Sequence, residues 1–330
     1  MHNAYISGIG HYLPERIVTN DDLSKIMDTT NEWIIERTGI KQRHYVEPGQ
    51  GPSDLAIPAT KNALKMAGLT VEDIDLIIFA TSTPDYYAPG SGCLLQEKMG
   101  FNTIGALDIR VQCSGFVYGL SIADQYIKTG TAKHVLVVGA EVQSTTIDMT
   151  TKGRDTAVIF ADGAGAAILS ATDEDKGIMS THLHSEGKHA KELWVESPSS
   201  SANPRLTPEI LEKGTHLLYM NGREVFRNAV TRFPEVIKEA MDAHKMTADD
   251  IDILVPHQAN IRIMEFVAKK MNIPMDKIIS NIDRVGNTTA ASIPIALSEA
   301  VESGKIKKGQ NIILAAFGSG FTWASSAIKW

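Results

Sequence analysis

The sequence predicts an α/β protein built from two similar halves, and three observations carry that prediction. Short, continuous apolar runs rich in β-branched residues alternate with longer helical stretches along all 330 residues. This is the pattern of a sheet covered by helices on both faces. A stretch of the first half recurs in the second: Thr70-Val71-Glu72-Asp73-Ile74-Asp75-Leu76-Ile77-Ile78 lines up with Thr247-Ala248-Asp249-Asp250-Ile251-Asp252-Ile253-Leu254-Val255, 177 residues on. The length suits two units at about 150 residues each.

The elements follow in chain order. Asp54 to Ala67 reads as a helix and Leu76 to Ala80 as a buried strand. Gly115 to Lys128 is helical, and Val135 to Val138 and Ala157 to Phe160 are strand-like. Ser197 to Pro208, rich in Ser and Pro, reads as an excursion loop. Ile251 to Val255 is a strand, Ile261 to Met271 a helix and Ile312 to Ala316 a strand. A second, weaker pairing sets Cys113…Gly130 against Asn287…Gly304 at an offset of 174, which makes Asn287 the counterpart of Cys113. A fused pair of similar α/β halves is the simpler reading, with chance alignment of a common α/β unit the plain alternative; the halves are expected at 1–172 and 173–330, packed in layers with pseudo-twofold symmetry.

Composition excludes several classes. The net charge is −7, which disfavours general nucleic-acid binding. No apolar run approaches the roughly 18 residues of a membrane helix. The opening Met1-His2-Asn3-Ala4-Tyr5 has no basic region followed by an apolar stretch, so no secretory signal is expected. Two cysteines, Cys93 and Cys113, are too few for a disulfide scaffold or a Cys-based zinc ribbon and suit a reducing cytoplasm. Gly8-Ile9-Gly10 lacks the third glycine of a dinucleotide fingerprint, since Leu13 stands there, and Gly318-Ser319-Gly320 fails likewise at Trp323. His182, His184 and His189 are readable as metal ligands, but alternation along a strand accounts for the first two equally well.

Four places can carry chemistry. Cys113 stands where a strand gives way to a helix, and unpaired N–H groups there are expected to lower its pKa. A buried structural cysteine is the plain alternative. His257 follows the strand Ile251 to Val255, where α/β folds place their sites, although a surface histidine beside a helix start looks the same. Asn287 is either a facing group or an N-cap. Gly318-Ser319-Gly320 offers backbone N–H groups to an oxyanion, or is a tight turn.

Taken together, Cys113, His257 and Asn287 resemble the β-ketoacyl-acyl-carrier-protein synthase III family, initiating condensing enzymes with the thiolase-like fold. The resemblance runs almost end to end, through Asn31 to Ile40, Cys113-Ser114-Gly115-Phe116, Phe160-Ala161-Asp162-Gly163-Ala164-Gly165-Ala166, Val255-Pro256-His257-Gln258-Ala259-Asn260, Gly286-Asn287-Thr288 and Gly320-Phe321-Thr322-Trp323. It implies that Cys113 takes an acyl group from acyl-CoA and that malonyl-acyl-carrier protein then enters. His257 and Asn287 would stabilise the enolate formed as carbon dioxide leaves. The backbone N–H groups of Cys113 and Ser319 would hold the acyl oxygen, and Phe317 would stand near the malonyl group. Trp33, Arg37 and Arg154 would bind CoA, with the adenine between Trp33 and Arg154. Gln258, Arg262, Arg227, Lys269 and Lys270 would dock the acidic carrier protein.

The resemblance also implies a cytoplasmic homodimer that needs no cofactor, with the loop near 84–89 completing the neighbour's pocket. Three departures bear on the starter group. Gln112 replaces a small residue before the cysteine. Ser319 replaces the middle glycine of a Gly-Gly-Gly loop, which would strain the serine if φ there is positive. Tyr86-Tyr87-Ala88-Pro89 falls where the family sets acyl-chain length. Acetyl-CoA is the expected starter. The alternative is a related condensing enzyme or acyltransferase of specialised metabolism with another acyl-CoA. A papain-like peptidase shares the order Cys, His, Asn but has a different local signature. A non-catalytic carrier-binding protein would not need all three residues.

Overall fold

The computed structural model describes residues 3–330; Met1 and His2, on which the reading of the N-terminus partly rests, lie outside them. Two mixed sheets form its framework. The first has the order β1 (Asn3–Tyr12), β7 (Gly163–Thr172), β6 (His134–Glu141), β4 (Leu76–Ala80), β5 (Gly105–Ile109). The second has the order β11 (Ile253–Pro256), β12 (Asn311–Gly318), β13 (Thr322–Lys329), β8 (Gly177–Ser185). Two small ribbons, β2 (Arg16–Thr19) with β3 (Gln42–Tyr45) and β9 (Leu193–Trp194) with β10 (Tyr219–Met220), lie apart from them.

Helices Gly115–Lys128 and Ser292–Glu302 lie between the sheets, where Phe116, Leu120, Ile293 and Leu297 join one core with Val137 and Leu314. Helix Pro52–Ala67 covers the outer face of the first sheet. Helices Gly222–Ala243 and Ile261–Met271 cover the outer face of the second. The result is five alternating helix and sheet layers. No helix among the described residues is long and apolar enough to cross a membrane.

The internal repeat is visible in hydrogen bonds as well as in outline. Thr70 and Thr247 each donate through N–H and hydroxyl to the aspartate three residues on, Asp73 or Asp250. Asp75 accepts the N–H of His134 at the start of β6, and Asp252 that of Asn311 at the start of β12. Strands β6 and β12 are offset by 177 residues.

That same offset corrects the pairing of Cys113 with Asn287. The 3-10 turn Gln112–Ser114 corresponds to the turn Thr289–Ala291, and Gln112 and Thr289 share an unusual positive φ of 45° and 50°. The structural counterpart of Cys113 is therefore Ala290. The offset of 174 reappears only at Gly130 and Gly304 because helix Ser292–Glu302 has 11 residues against 14 in Gly115–Lys128.

Ala157 to Phe160 is also corrected: it is the end of a short helix, a turn and one bridge to Asn287. Its backbone groups are taken one at a time and not along a strand ladder. Val158 N–H donates to the Arg154 carbonyl, Ile159 N–H to that of Thr156, and buried Arg43 donates to the Val158 carbonyl. The run is apolar because it is buried, not because it pairs in a sheet.

Candidate active site

Cys113, His257 and Asn287 line one cleft of about 380 Å³, together with Phe317. Each is delivered by the end of a buried element. Cys113 sits in the 3-10 turn that runs into helix Gly115–Lys128. His257 follows β11, its N–H donating to the Ala315 carbonyl at 2.8 Å. Asn287 is pinned across the chain, its N–H donating to the Ile159 carbonyl and its carbonyl accepting from Ala161.

The donors are oriented. Asn287 Oδ1 accepts the Thr289 N–H at 2.9 Å, which leaves Nδ2 to donate into the cleft. His257 Nδ1 lies 2.5 Å from the Ser292 hydroxyl. Burial pushes the imidazole down to about 3, so the ring is neutral at ordinary pH.

The expectation of a lowered thiol pKa is corrected. Burial pushes Cys113 up to about 12, and the Glu141 carboxylate adds to the rise, against backbone N–H groups of Ser319 and of Cys113 itself. A sulfur cut off from water loses the solvation a thiolate needs, and this outweighs the helix N-terminus. The Ser319 N–H is thus at the sulfur, where an acyl oxygen would form. Ser319 has no positive φ; the strain foreseen there falls instead on Gln112. The Ser319 hydroxyl donates to the Leu193 carbonyl. Gly318 is required by contact, since a Cβ on it would stand 2.7 Å from Cys113 Sγ.

Trp33 and Arg37 stand on the wall of the cleft, and Arg37 lies 4.6 Å from the Trp33 ring centroid. Arg154 lies 4.9 Å from the same centroid and donates to the Asp28 carbonyl. This is direct-contact spacing, which leaves no room for a flat ring between Trp33 and Arg154 as they stand. Arg262, Lys269 and Lys270 are exposed on helix Ile261–Met271. Arg227, also exposed, pairs with Glu224.

Gln258 is a correction. It is fully buried, its Nε2 donates to the Pro256 and Ile279 carbonyls and its Oε1 accepts from Asn281. It braces the His257 loop and cannot form part of a docking surface. His182 and His184 both face Glu239, at 3.3 and 2.6 Å.

Sequence reasoning assigned no role to Ser292 or Glu141. Glu141, fully buried, accepts from Ser82 N–H at 3.0 Å and the Thr83 hydroxyl at 2.7 Å, and burial pushes it up to about 7. Its signal was a lone acid ending an apolar strand.

Family models described as 3-oxoacyl-(acyl-carrier-protein) synthase III and its C-terminal part match residues 107–187 and 241–330. A β-ketoacyl-(acyl-carrier-protein) synthase III of Xanthomonas euvesicatoria pv. vesicatoria is 47% identical over 325 residues, covering 98% of each chain. The crystal structure of 3-oxoacyl-(acyl-carrier-protein) synthase III from Aquifex aeolicus superposes with a TM-score of 0.92 at 40% identity, covering 99% of this chain and 100% of that one. The priming β-ketosynthase of the R1128 polyketide biosynthetic pathway gives 0.90 at 31%, covering 98% and 95%.

Proposed function

The chain belongs to the 3-oxoacyl-acyl-carrier-protein synthase III family, and from that premise we propose how its own residues run the reaction. The protein is a condensing acyltransferase that joins acyl-CoA to malonyl-acyl-carrier protein, the step that starts fatty-acid synthesis. Its fold is thiolase-like.

Cys113 attacks the thioester carbon of acyl-CoA. The bond to the CoA sulfur breaks, and CoA leaves as the thiol with the proton that Cys113 carried. The N–H groups of Cys113 and Ser319 stabilise the oxyanion between. Malonyl-acyl-carrier protein then loses carbon dioxide. The electron pair of the broken bond enters the thioester as an enolate, whose oxygen accepts from the His257 ring and Asn287 Nδ2. The enolate carbon attacks the acyl group, and Cys113 leaves and takes up one proton. Neutral donors suit this step, because a charged imidazole would not survive burial at His257. Phe317 shapes the malonyl side of the cleft.

The observation that carries this reading is the convergence of Cys113, His257 and Asn287 on one cleft. Trp33, Arg37 and Arg154 hold CoA at its mouth, and Arg227, Arg262, Lys269 and Lys270 attract the acidic carrier protein. The chain divides into functional halves at 1–172, with the nucleophile, and 173–330, with both enolate donors. It works as a cytoplasmic homodimer without a cofactor. The exposed edge strand β5 supports the dimer, and the free exposed Cys93 supports the compartment.

Acetyl-CoA is the starter we favour. A second cavity of about 250 Å³, lined by Cys113, Arg110 and Gln112, supports a larger or more polar starter as the second reading. Intact-protein mass spectrometry with a panel of acyl-CoAs separates them. An acetyl adduct absent from Cys113→Ala, followed by carbon dioxide release from malonyl-acyl-carrier protein, is the expected result. Preference for a longer or polar acyl group selects the second reading. No adduct from any thioester overturns both.

A further inference from the structure

A neutral imidazole has one N–H, so His257 donates into the cleft only if the proton is on the right nitrogen. That choice is made on the buried side of the ring. Nδ1 faces the hydroxyl of Ser292 at 2.5 Å, the first residue of helix Ser292–Glu302. Both residues are 1% exposed. The same oxygen accepts the Gln258 backbone N–H at 3.4 Å. Among the described residues the hydroxyl has no acceptor in reach other than Nδ1.

Two proton arrangements are conceivable. With the proton on Nδ1, Ser292 Oγ accepts from two donors and its own hydrogen is buried with nowhere to go, which folded proteins rarely tolerate. With Ser292 donating to Nδ1, each of these groups is satisfied and the ring proton sits on Nε2. Asn287 is treated alike, since the Thr289 N–H occupies its Oδ1 and leaves Nδ2 as donor. The segment from Asn287 to Ser292 therefore orients both enolate donors. We infer that Ser292 is the positioning residue that fixes His257 as the Nε2–H tautomer, so that the ring is a preset donor for the malonyl step. The inference rests on the role proposed for His257. Burial keeps the ring uncharged, which leaves the tautomer as the variable.

Nitrogen-15 NMR of the full-length enzyme labelled at histidine reads the tautomer, with the His257 signals assigned by their loss in His257→Gln. Wild type and Ser292→Thr, which keeps the hydroxyl, should show Nε2–H alone, and Ser292→Ala a mixture. Condensation with malonyl-acyl-carrier protein should fall at least tenfold in Ser292→Ala relative to acylation of Cys113, and Ser292→Thr should restore the ratio. A proton on Nδ1 in the wild type overturns the inference, and so does Ser292→Ala with tautomer and ratio unchanged. If the alanine variant does not fold, the wild-type spectrum decides alone. A wild type that releases no carbon dioxide from malonyl-acyl-carrier protein defeats the functional reading, while the spectrum still judges the tautomer.

Discussion

At His257, burial without a charged partner decides both chemistry and pH behaviour. Its folded pKa of about 3 lies below the ordinary 6.5. Between those values the unfolded chain binds a proton that the folded one refuses, so stability rises with pH across this window. The contribution is complete above pH 6.5 and is lost as pH falls toward 3. Thermal melts should therefore show the wild type losing more stability from pH 7 to pH 4.5 than His257→Gln does. The rate of malonyl decarboxylation should show no histidine titration between pH 5.5 and 8. A rate that halves near pH 6.5 and follows His257 would mean that the ring works as a base.

The same scale shows what a sequence reader can see. Cys113, His257 and Asn287, which line one cleft, are legible because each is a residue type able to carry chemistry and stands near where an element begins or ends. Ser292 is not, since its meaning comes from a ring 35 residues away. Gln258 looks like a surface amide, but its hydrogen bonds to Pro256, Ile279 and Asn281, the last two distant in sequence, hold it buried.

At the scale of elements, close approach of backbones is written in glycine. Gly8 and Gly10 fail as a nucleotide motif and succeed as a seat for helix Pro52–Ala67. A Cβ on Gly10 would stand 2.4 Å from the Ala59 carbonyl oxygen and one on Gly8 2.1 Å from that of Ala63. Backbone cannot give way as a flexible side chain does, so Gly10→Ala should destabilise by about 3 kcal/mol. Gly187→Ala, which meets nothing within 4 Å, should stay within about 0.5 kcal/mol of the wild type. Urea denaturation of both variants checks the pair; equal midpoints would refute the packing argument. Helices 115–128 and 261–271 were readable to the residue because amphipathic spacing and their end residues agree. Ala157 to Phe160 was not, because a short apolar run shows burial but not which backbone groups its neighbours claim.

At the scale of the molecule, the two sheets end differently. In the second sheet the strand that would match β5 shrinks to one bridge, Leu254 with Ile278, and is buried. In the first, β5 is a full strand with Gly105, Leu107 and Asp108 exposed and one side unpaired. An uncovered edge with an exposed leucine invites another strand, and a twofold axis at β5 would continue the sheet into a second copy. Cys113 follows four residues after β5 ends, so pairing there would steady the turn that carries it. Sedimentation should find the wild type dimeric at micromolar concentration and Leu107→Lys shifted to monomer, with acylation of Cys113 reduced at least tenfold. A monomeric wild type removes the edge argument. A monomeric variant acylated at the full rate would show that each chain builds its acyl pocket alone.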